Sequence, residues 1–185
     1  MQSIIAMLRG VNVGAHNRIS MQALRAMCGS LGWQGVQTYV QSGNLVFQSK
    51  DRNLPALAKL FDAAFEKAFG FHAPLVLRTA AEMRAVVANN PFARRKGIDP
   101  GKFHVFFLTE ELSPEARKQL ETMRVGAEEV RAASRELYVY FPEGMGRSKL
   151  PALMDRVLKK SGTARNWNSV TNLLEMAAKL EDSSG

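Results

Sequence analysis

The chain has 185 residues, 46% of them hydrophobic and 23% charged, a composition typical of globular proteins and sufficient for one or two compact units. Its 25 Lys and Arg exceed its 17 Asp and Glu, so the formal net charge is +8 and anionic partners are favoured. The single cysteine excludes an internal disulfide framework and a multi-cysteine zinc site.

The first half of the chain predicts the order strand, helix, strand, strand, helix, strand. The apolar run 3–9 predicts a strand, and Ser20 opens a helix that ends at Gly32. Residues 36–49 predict two short strands around a turn at Gly43, and residues 73–78 predict another strand. The helix predicted between these strands ends at Gly70, and its apolar positions are Leu57, Leu60, Phe61, Ala64, Phe65 and Ala68. This order is the split βαβ arrangement of ferredoxin-like folds.

The second half predicts a similar order. Thr79 and Glu82 match a capping box, so a helix should begin there and stop before Pro91, ahead of a basic loop over 92–102. A strand (103–108), a helix (113–123), a hairpin (128–141), a helix (149–160) and a final helix (169–180) follow. We therefore predict an α+β fold of two ferredoxin-like βαββαβ-type repeats with antiparallel sheets, over 1–90 and 91–185, plus a C-terminal helix. The two repeats are expected to share one body because each is small to stand alone.

Three stretches occur together in this order: LRGVNVGAHNRISM (8–21), TYVQSGNLVF (38–47) and SKL followed by TARNWNSVTNLLEM (148–176). In this combination the chain resembles the bacterial family known as domain of unknown function 1697, from Ile4 to about Met176. The resemblance implies an α+β fold with ferredoxin-like repeats and a bacterial cytosolic protein. It implies no established activity and supplies no catalytic residues.

The N-terminus lacks the basic flank and long apolar core of a signal peptide. No apolar run approaches the roughly 20 residues that span a bilayer. We therefore expect a cytoplasmic location and no membrane partner.

The loop after the first predicted strand suits an anionic ligand. Gly10 and Gly14 permit close approach of the backbone, and Arg9 and Arg18 can form bidentate bonds to phosphate or carboxylate. The adjoining helix N-terminus also attracts anions. Neither G-x-x-x-x-G-K-[ST] nor G-x-G-x-x-G is present. Alternatively, the loop is a turn in which Asn12 and Asn17 satisfy backbone groups and the arginines are solvated.

Two further segments show similar chemistry. Arg147, Ser148 and Lys149 place two cations and a hydroxyl near a predicted helix start, although Ser148 can equally be an N-cap. In TARNWN, Arg165 is assigned to the ligand, whereas Trp167 is either a core anchor or a stacking surface.

We predict that these segments line one cleft for a phosphorylated or otherwise anionic small ligand, such as a nucleotide. The predicted cleft residues are Arg9, Asn12, Arg18, Arg147, Lys149 and Arg165, with Asn44 and Asn168 as orienting amides. The pattern supplies cations and amides but no acid–base pair, so it does not decide whether the protein is an enzyme. We predict no cofactor, and no metal, because the three histidines show no i, i+4 pairing.

The alternative function is a nucleic-acid-binding module. Arg94, Arg95, Lys96, Lys159 and Lys160 would track phosphates in this case. Tyr138 and Tyr140 alternate along a strand and share one sheet face, where bases could stack, although the RNA-recognition consensus is absent.

Overall fold

The protein, seen in a computed structural model, is described over residues 1–159 and 161–183. The chain divides into two compact units, Met1–Ala85 with the segment from Thr171 onward, and Val86–Val170. Each unit contains a four-stranded sheet. The predicted α+β class, with two βαββαβ-type repeats, antiparallel sheets and a C-terminal helix, is confirmed. The repeat boundary at residue 90 stays a prediction.

The first unit is built around strand β1. Its elements are β1 (Gln2–Leu8), α1 (Met21–Ser30), β2 (Gln34–Tyr39), β3 (Asn44–Ser49), α2 (Leu54–Phe69), β4 (Leu75–Thr79) and the start of α3 (Ala80–Ala88). The strand order is β2-β3-β1-β4, and the neighbouring strands pair antiparallel. Because β1 pairs antiparallel with β3, with Met7 opposite Asn44, the loop after β1 begins beside the β2–β3 turn.

Helix α2 follows the predicted pattern at most positions. Gly70 ends it in the left-handed conformation, with φ of 77°, as predicted. Phe61 and Phe65 are buried at i, i+4 spacing together with Leu57. The prediction is wrong for Leu60 and Ala68, which are exposed, Leu60 by 46%, and therefore do not belong to the buried face.

The core beneath the first sheet contains Cys28, which is buried as a small apolar side chain. Desolvation raises the pKa of its thiol to about 12. The Trp33 ring stacks on Phe47, with ring centroids 3.8 Å apart. These contacts join α1, β3 and the segment between α1 and β2 into one packed layer.

The terminal helix completes the first unit. Gln48 Nε2 donates a hydrogen bond to the carbonyl oxygen of Leu180 at 3.0 Å, across 132 residues of sequence. The Leu180 side chain lies so close to Gly35 that a Cβ at Gly35 would be 2.8 Å from its Cδ2. The turn of helix around Leu180 therefore packs on residues of β2 and β3.

The second unit has the same strand order as the first. Its elements are β5 (Phe103–Phe107), α4 (Pro114–Thr122), β6 (Glu129–Ala132), β7 (Glu136–Tyr140), α5 (Leu150–Val157), β8 (Thr163–Asn166) and the start of α6 (Trp167–Asp182). The order β6-β7-β5-β8 is antiparallel throughout. Strand β8 occupies residues for which the sequence pattern had assigned no strand, because TARN offers only one apolar residue.

The two units share a detail in their last strands. Arg78 stands opposite Ile5 in β1, and Arg165 stands opposite Val105 in β5. Each guanidinium Nη1 donates to the carbonyl of its preceding residue, at 2.9 Å for Arg78 and 2.8 Å for Arg165. This equivalence supports a duplicated architecture that sequence identity between the halves does not reveal.

The strand ends pass directly into capped helices. Thr79 Oγ1 accepts from the Glu82 N–H at 3.0 Å, and Glu82 Oε2 accepts from the Thr79 N–H at 2.8 Å, which confirms the capping box. Asn166 Oδ1 accepts from the Ser169 N–H at 2.9 Å at the corresponding point before α6. Within the described ranges, no helix has the length and apolarity that crossing a bilayer requires.

Candidate functional site

The loop over residues 10–19 is braced by its own amide side chains. Asn12 Oδ1 accepts from the Ile19 N–H at 2.8 Å, and Asn12 Nδ2 donates to the Ile19 carbonyl at 3.2 Å. Asn17 Nδ2 donates to the Gly10 carbonyl at 3.1 Å. Both asparagines have left-handed φ angles, 53° and 52°, which this residue type tolerates better than most. Both asparagine side chains thus satisfy backbone groups, as the alternative interpretation of this loop as a turn expects. Contact of Asn12 with a ligand stays a prediction.

The β2–β3 turn packs against this loop. Asn12 Nδ2 also donates to the Gln41 carbonyl at 2.9 Å, and the Leu8 N–H donates to the Gly43 carbonyl at 2.9 Å. A Cβ at Gly43, whose φ is +72°, would lie 2.5 Å from Val11 Cγ2. Two of the three sequence motifs therefore form one structure, which we call the paired loops (residues 10–19 and 40–43).

Asn44 stabilises the turn from inside. It is fully buried, and its Nδ2 donates to the Tyr39 carbonyl at 3.2 Å and to Ser42 Oγ at 2.8 Å. These bonds hold the turn closed. The orienting role predicted for Asn44 would have to act through the turn.

Cationic side chains lie on the paired loops and directly before them. Arg18 is exposed, and its Nε donates to the Gly14 carbonyl at 3.4 Å. Arg9 is half-buried, and its backbone N–H donates to the Pro74 carbonyl at 2.8 Å. Residues 1–50 contain no Asp or Glu. No carboxylate in this stretch therefore opposes an anion at Arg18.

The third motif lies in the second unit, at the start of α5. Arg147 and Lys149 are exposed, and Arg147 ends a single 3-10 turn, Met145–Arg147. The alternative that Ser148 is the N-cap is wrong, because Lys149 holds the N-cap position of α5 without a side-chain cap bond. Ser148 Oγ instead accepts from the Leu150 N–H at 3.0 Å and donates to the Glu128 carboxylate. A cavity of about 160 Å³ beside them is lined in part by Glu128, Glu143 and Arg147. Carboxylates at this position make it a poorer anion site than the paired loops.

The fourth predicted segment spans the end of β8 and the start of α6. Arg165 Nη1 donates to Thr163 Oγ1 at 2.7 Å, within its own strand, and desolvation lowers the pKa of its guanidinium to about 10. Trp167 stacks on Phe103, with ring centroids 4.8 Å apart, as a core anchor would. Asn168 is exposed on the first turn of α6. Ligand contacts by Arg165 and Asn168 stay predictions.

The residues of the nucleic-acid alternative differ in their accessibility. Tyr138 is 3% exposed, its hydroxyl donates to the Val86 carbonyl at 2.8 Å, and desolvation raises its pKa, so no base reaches its ring in this conformation. Tyr140 is half-buried, with the Arg95 guanidinium 5.5 Å from its ring centroid and paired with Glu129. The remaining cations of that hypothesis are exposed where they are described, namely Arg94, Lys96 and Lys159, whereas Lys160 lies outside the described residues.

Two histidines have shifted pKa values. A hydrogen bond with Asp62 and the charge of Glu66 raise the pKa of exposed His72, whose ring nitrogens lie 3.1 Å from each carboxylate. His104 in β5 is buried, and desolvation lowers its pKa. Among residues 1–159 and 161–183, no group of three or more His, Cys, Asp or Glu is placed to hold a metal ion.

Sequence reasoning missed the apolar side chains of the paired loops. Val13 is 67% exposed, and Val40 is 54% exposed with a left-handed φ of 50°. Valine is rare in this backbone region, so no turn rule would have placed it there. The flanking polar residues supplied the available signal, and it pointed to the loops without pointing to these two side chains.

Comparison with known proteins identifies a family without an assigned activity. The family model described as protein of unknown function (DUF1697) matches residues 1–138. The structure of the conserved bacterial protein SP0830 from Streptococcus pneumoniae is similar in fold, with a TM-score of 0.75 and 22% identity, over 95% of this chain and 98% of that one. No functionally curated protein matches the chain. The chain therefore belongs to the DUF1697 family of proteins of unknown function.

Proposed function

We propose that the first unit binds a phosphorylated or otherwise anionic small ligand at the paired loops. The supporting observation is the exposed Arg18 on a braced loop, within a stretch of 50 residues that has no Asp or Glu. A guanidinium can donate two parallel bonds to a phosphate, and Arg9 provides a second cation in the same loop region.

The bracing of the loop contributes to binding. Asn12 and Asn17 hold the backbone in a single arrangement before any ligand arrives. Binding to such a preformed surface costs less conformational entropy than binding to a loop that must first become ordered. The proposed activity is binding, because the cations and amides of these loops stabilise anionic charge.

Isothermal titration calorimetry with inorganic pyrophosphate at low ionic strength tests this proposal. The Arg18→Ala variant should bind at least tenfold more weakly, and Arg18→Lys should fall between the two because it keeps the charge but loses the planar fork. Arg9→Lys should also weaken binding, since lysine keeps the charge but loses the planar fork.

Arg124→Ala is the matched control. Arg124 is also an exposed arginine whose guanidinium donates to a nearby backbone carbonyl, that of Glu121 three residues earlier, at 2.7 Å. It lies in the second unit, so its removal should leave pyrophosphate binding unchanged. Failure of the wild type to bind pyrophosphate, or equal affinities for wild type and Arg18→Ala, would refute the proposal.

A further inference from the structure

The paired loops, with Asn44 directly after them, reverse the usual distribution of polar and apolar side chains. Asn44 is fully buried and Asn12 has both of its amide atoms bonded, whereas Val13 and Val40 stand 67% and 54% exposed. These valines are two of the five large hydrophobic residues that are exposed in the described part of the chain. The fold thus uses polar side chains to hold these segments and leaves two valines facing outward on them.

The backbone at Val40 supports the same interpretation. Its φ of 50° is unfavourable for a β-branched residue, and Asn or Gly would adopt it more readily. An exposed valine contributes little to the core that could offset this strain. Strained residues of this kind concentrate at ligand-binding positions.

The two valines and Arg18 are held on neighbouring segments. The hydrogen bond of 2.9 Å from Asn12 Nδ2 to the Gln41 carbonyl joins the residues next to Val13 and Val40 in the sequence. A β-bridge between Val13 and His16 fixes the tip of the same loop that carries Arg18. The surface therefore combines apolar contacts with a guanidinium, in a stretch free of carboxylates.

We infer that this surface binds a free nucleotide, with the base against Val13 and Val40 and the phosphate on Arg18. The inference rests on the proposed anion site and names its ligand class. Inorganic phosphate or a sugar phosphate would leave both valines in water, whereas a nucleotide base has flat apolar faces that cover them. Valine offers no hydrogen bond to a base edge, so adenine and guanine nucleotides should bind within about threefold of each other.

Titrations with ADP and pyrophosphate separate the contribution of the nucleoside from that of the diphosphate, because both probes carry a diphosphate. Wild type should bind ADP at least fivefold more tightly than pyrophosphate. Val13→Ser and Val40→Asn should each remove most of that difference and leave pyrophosphate affinity unchanged. Val40→Asn should also raise the Tm, because asparagine relieves the backbone strain, so weaker ADP binding by this variant cannot result from unfolding.

Val125→Ser is the control, since Val125 is an exposed valine of the second unit (39%) and should affect neither probe. Equal affinity for ADP and pyrophosphate, or unchanged ADP binding in both valine variants, overturns the inference and leaves the anion site intact. Loss of both probes in Arg18→Ala supports the anion site on which the inference depends. No binding of either probe by wild type overturns both proposals. Binding of a ten-residue oligonucleotide more than tenfold tighter than ADP, or sedimentation with phosphatidylglycerol vesicles that Val13→Ser abolishes, also overturns the inference.

Discussion

Replacing Asn12 with alanine should destabilise the protein more than a typical loop substitution. The side chain makes two partly buried hydrogen bonds to Ile19 and an exposed one to the Gln41 carbonyl, which together contribute about 2.5 kcal/mol. Alanine at a φ of 53° adds a strain of about 1 kcal/mol. We expect Asn12→Ala to lower the free energy of unfolding by about 3.5 kcal/mol, measured by urea denaturation followed by circular dichroism.

Two variants separate these contributions. Asn12→Gly loses the hydrogen bonds but tolerates the left-handed backbone, so its loss should be about 2.5 kcal/mol. Asn17→Ala has a similar φ, 52°, but loses the single side-chain bond to the Gly10 carbonyl, and should cost about 1.5 kcal/mol. If Asn12→Ala unfolds within about 0.5 kcal/mol of wild type, the bracing described here does not stabilise the fold.

Two further predictions concern a close backbone contact and the pH dependence of stability. Gly162→Ala should lower the free energy of unfolding by about 3–4 kcal/mol, since at a φ of +83° its Cβ would lie 2.2 Å from the Phe107 carbonyl oxygen. Gly70→Ala has a similar φ, +77°, but open space around it, and should cost about 1 kcal/mol. Equal losses of stability in urea denaturation would contradict the clash. Because the folded pKa of His104 is below 6.5, its neutral form stabilises the fold above pH 6.5, and this contribution is lost as the pH falls below that value. Melting temperatures between pH 7.5 and 5 should fall less steeply in His104→Leu than in wild type, and parallel profiles would disprove the assignment. The raised pKa of His72 has the opposite sign, so its contribution is present below pH 6.5 and is lost as the pH rises through the folded pKa, and His72→Gln should remove it.

Local patterns in the sequence predicted local structure well. The Thr79–Glu82 capping box and the Gly70 helix end were predictable because their partners lie within four residues. Strand β8 was not predictable, because its sequence lacks the apolar alternation that marks most strands. It forms at the edge of the second sheet through its pairing with β5.

The candidate site was predicted at the level of segments and less well at the level of roles. The sequence pattern predicts Asn12 as a ligand contact because amides in glycine-rich loops can bind ligands, yet its Nδ2 donates to a carbonyl 29 residues away. Arg165 was chosen because it is a cation in a polar motif, yet its Nη1 bonds Thr163 and Ala164 in its own strand. Sequence cannot distinguish these uses, because the same donors serve backbone carbonyls and phosphates equally well.

The contact between Gln48 and Leu180 has a consequence for synthesis of the protein on the ribosome. Strands β2 and β3 emerge early, whereas the segment that packs on them is translated 132 residues later than Gln48. The nascent chain therefore carries the first sheet with Gly35 and Gln48 uncovered for most of its elongation. A chain truncated before Leu180 would expose this sheet surface, which could then associate with other chains. Synthesis of the last turns of α6 is therefore the step that protects the first sheet from aggregation.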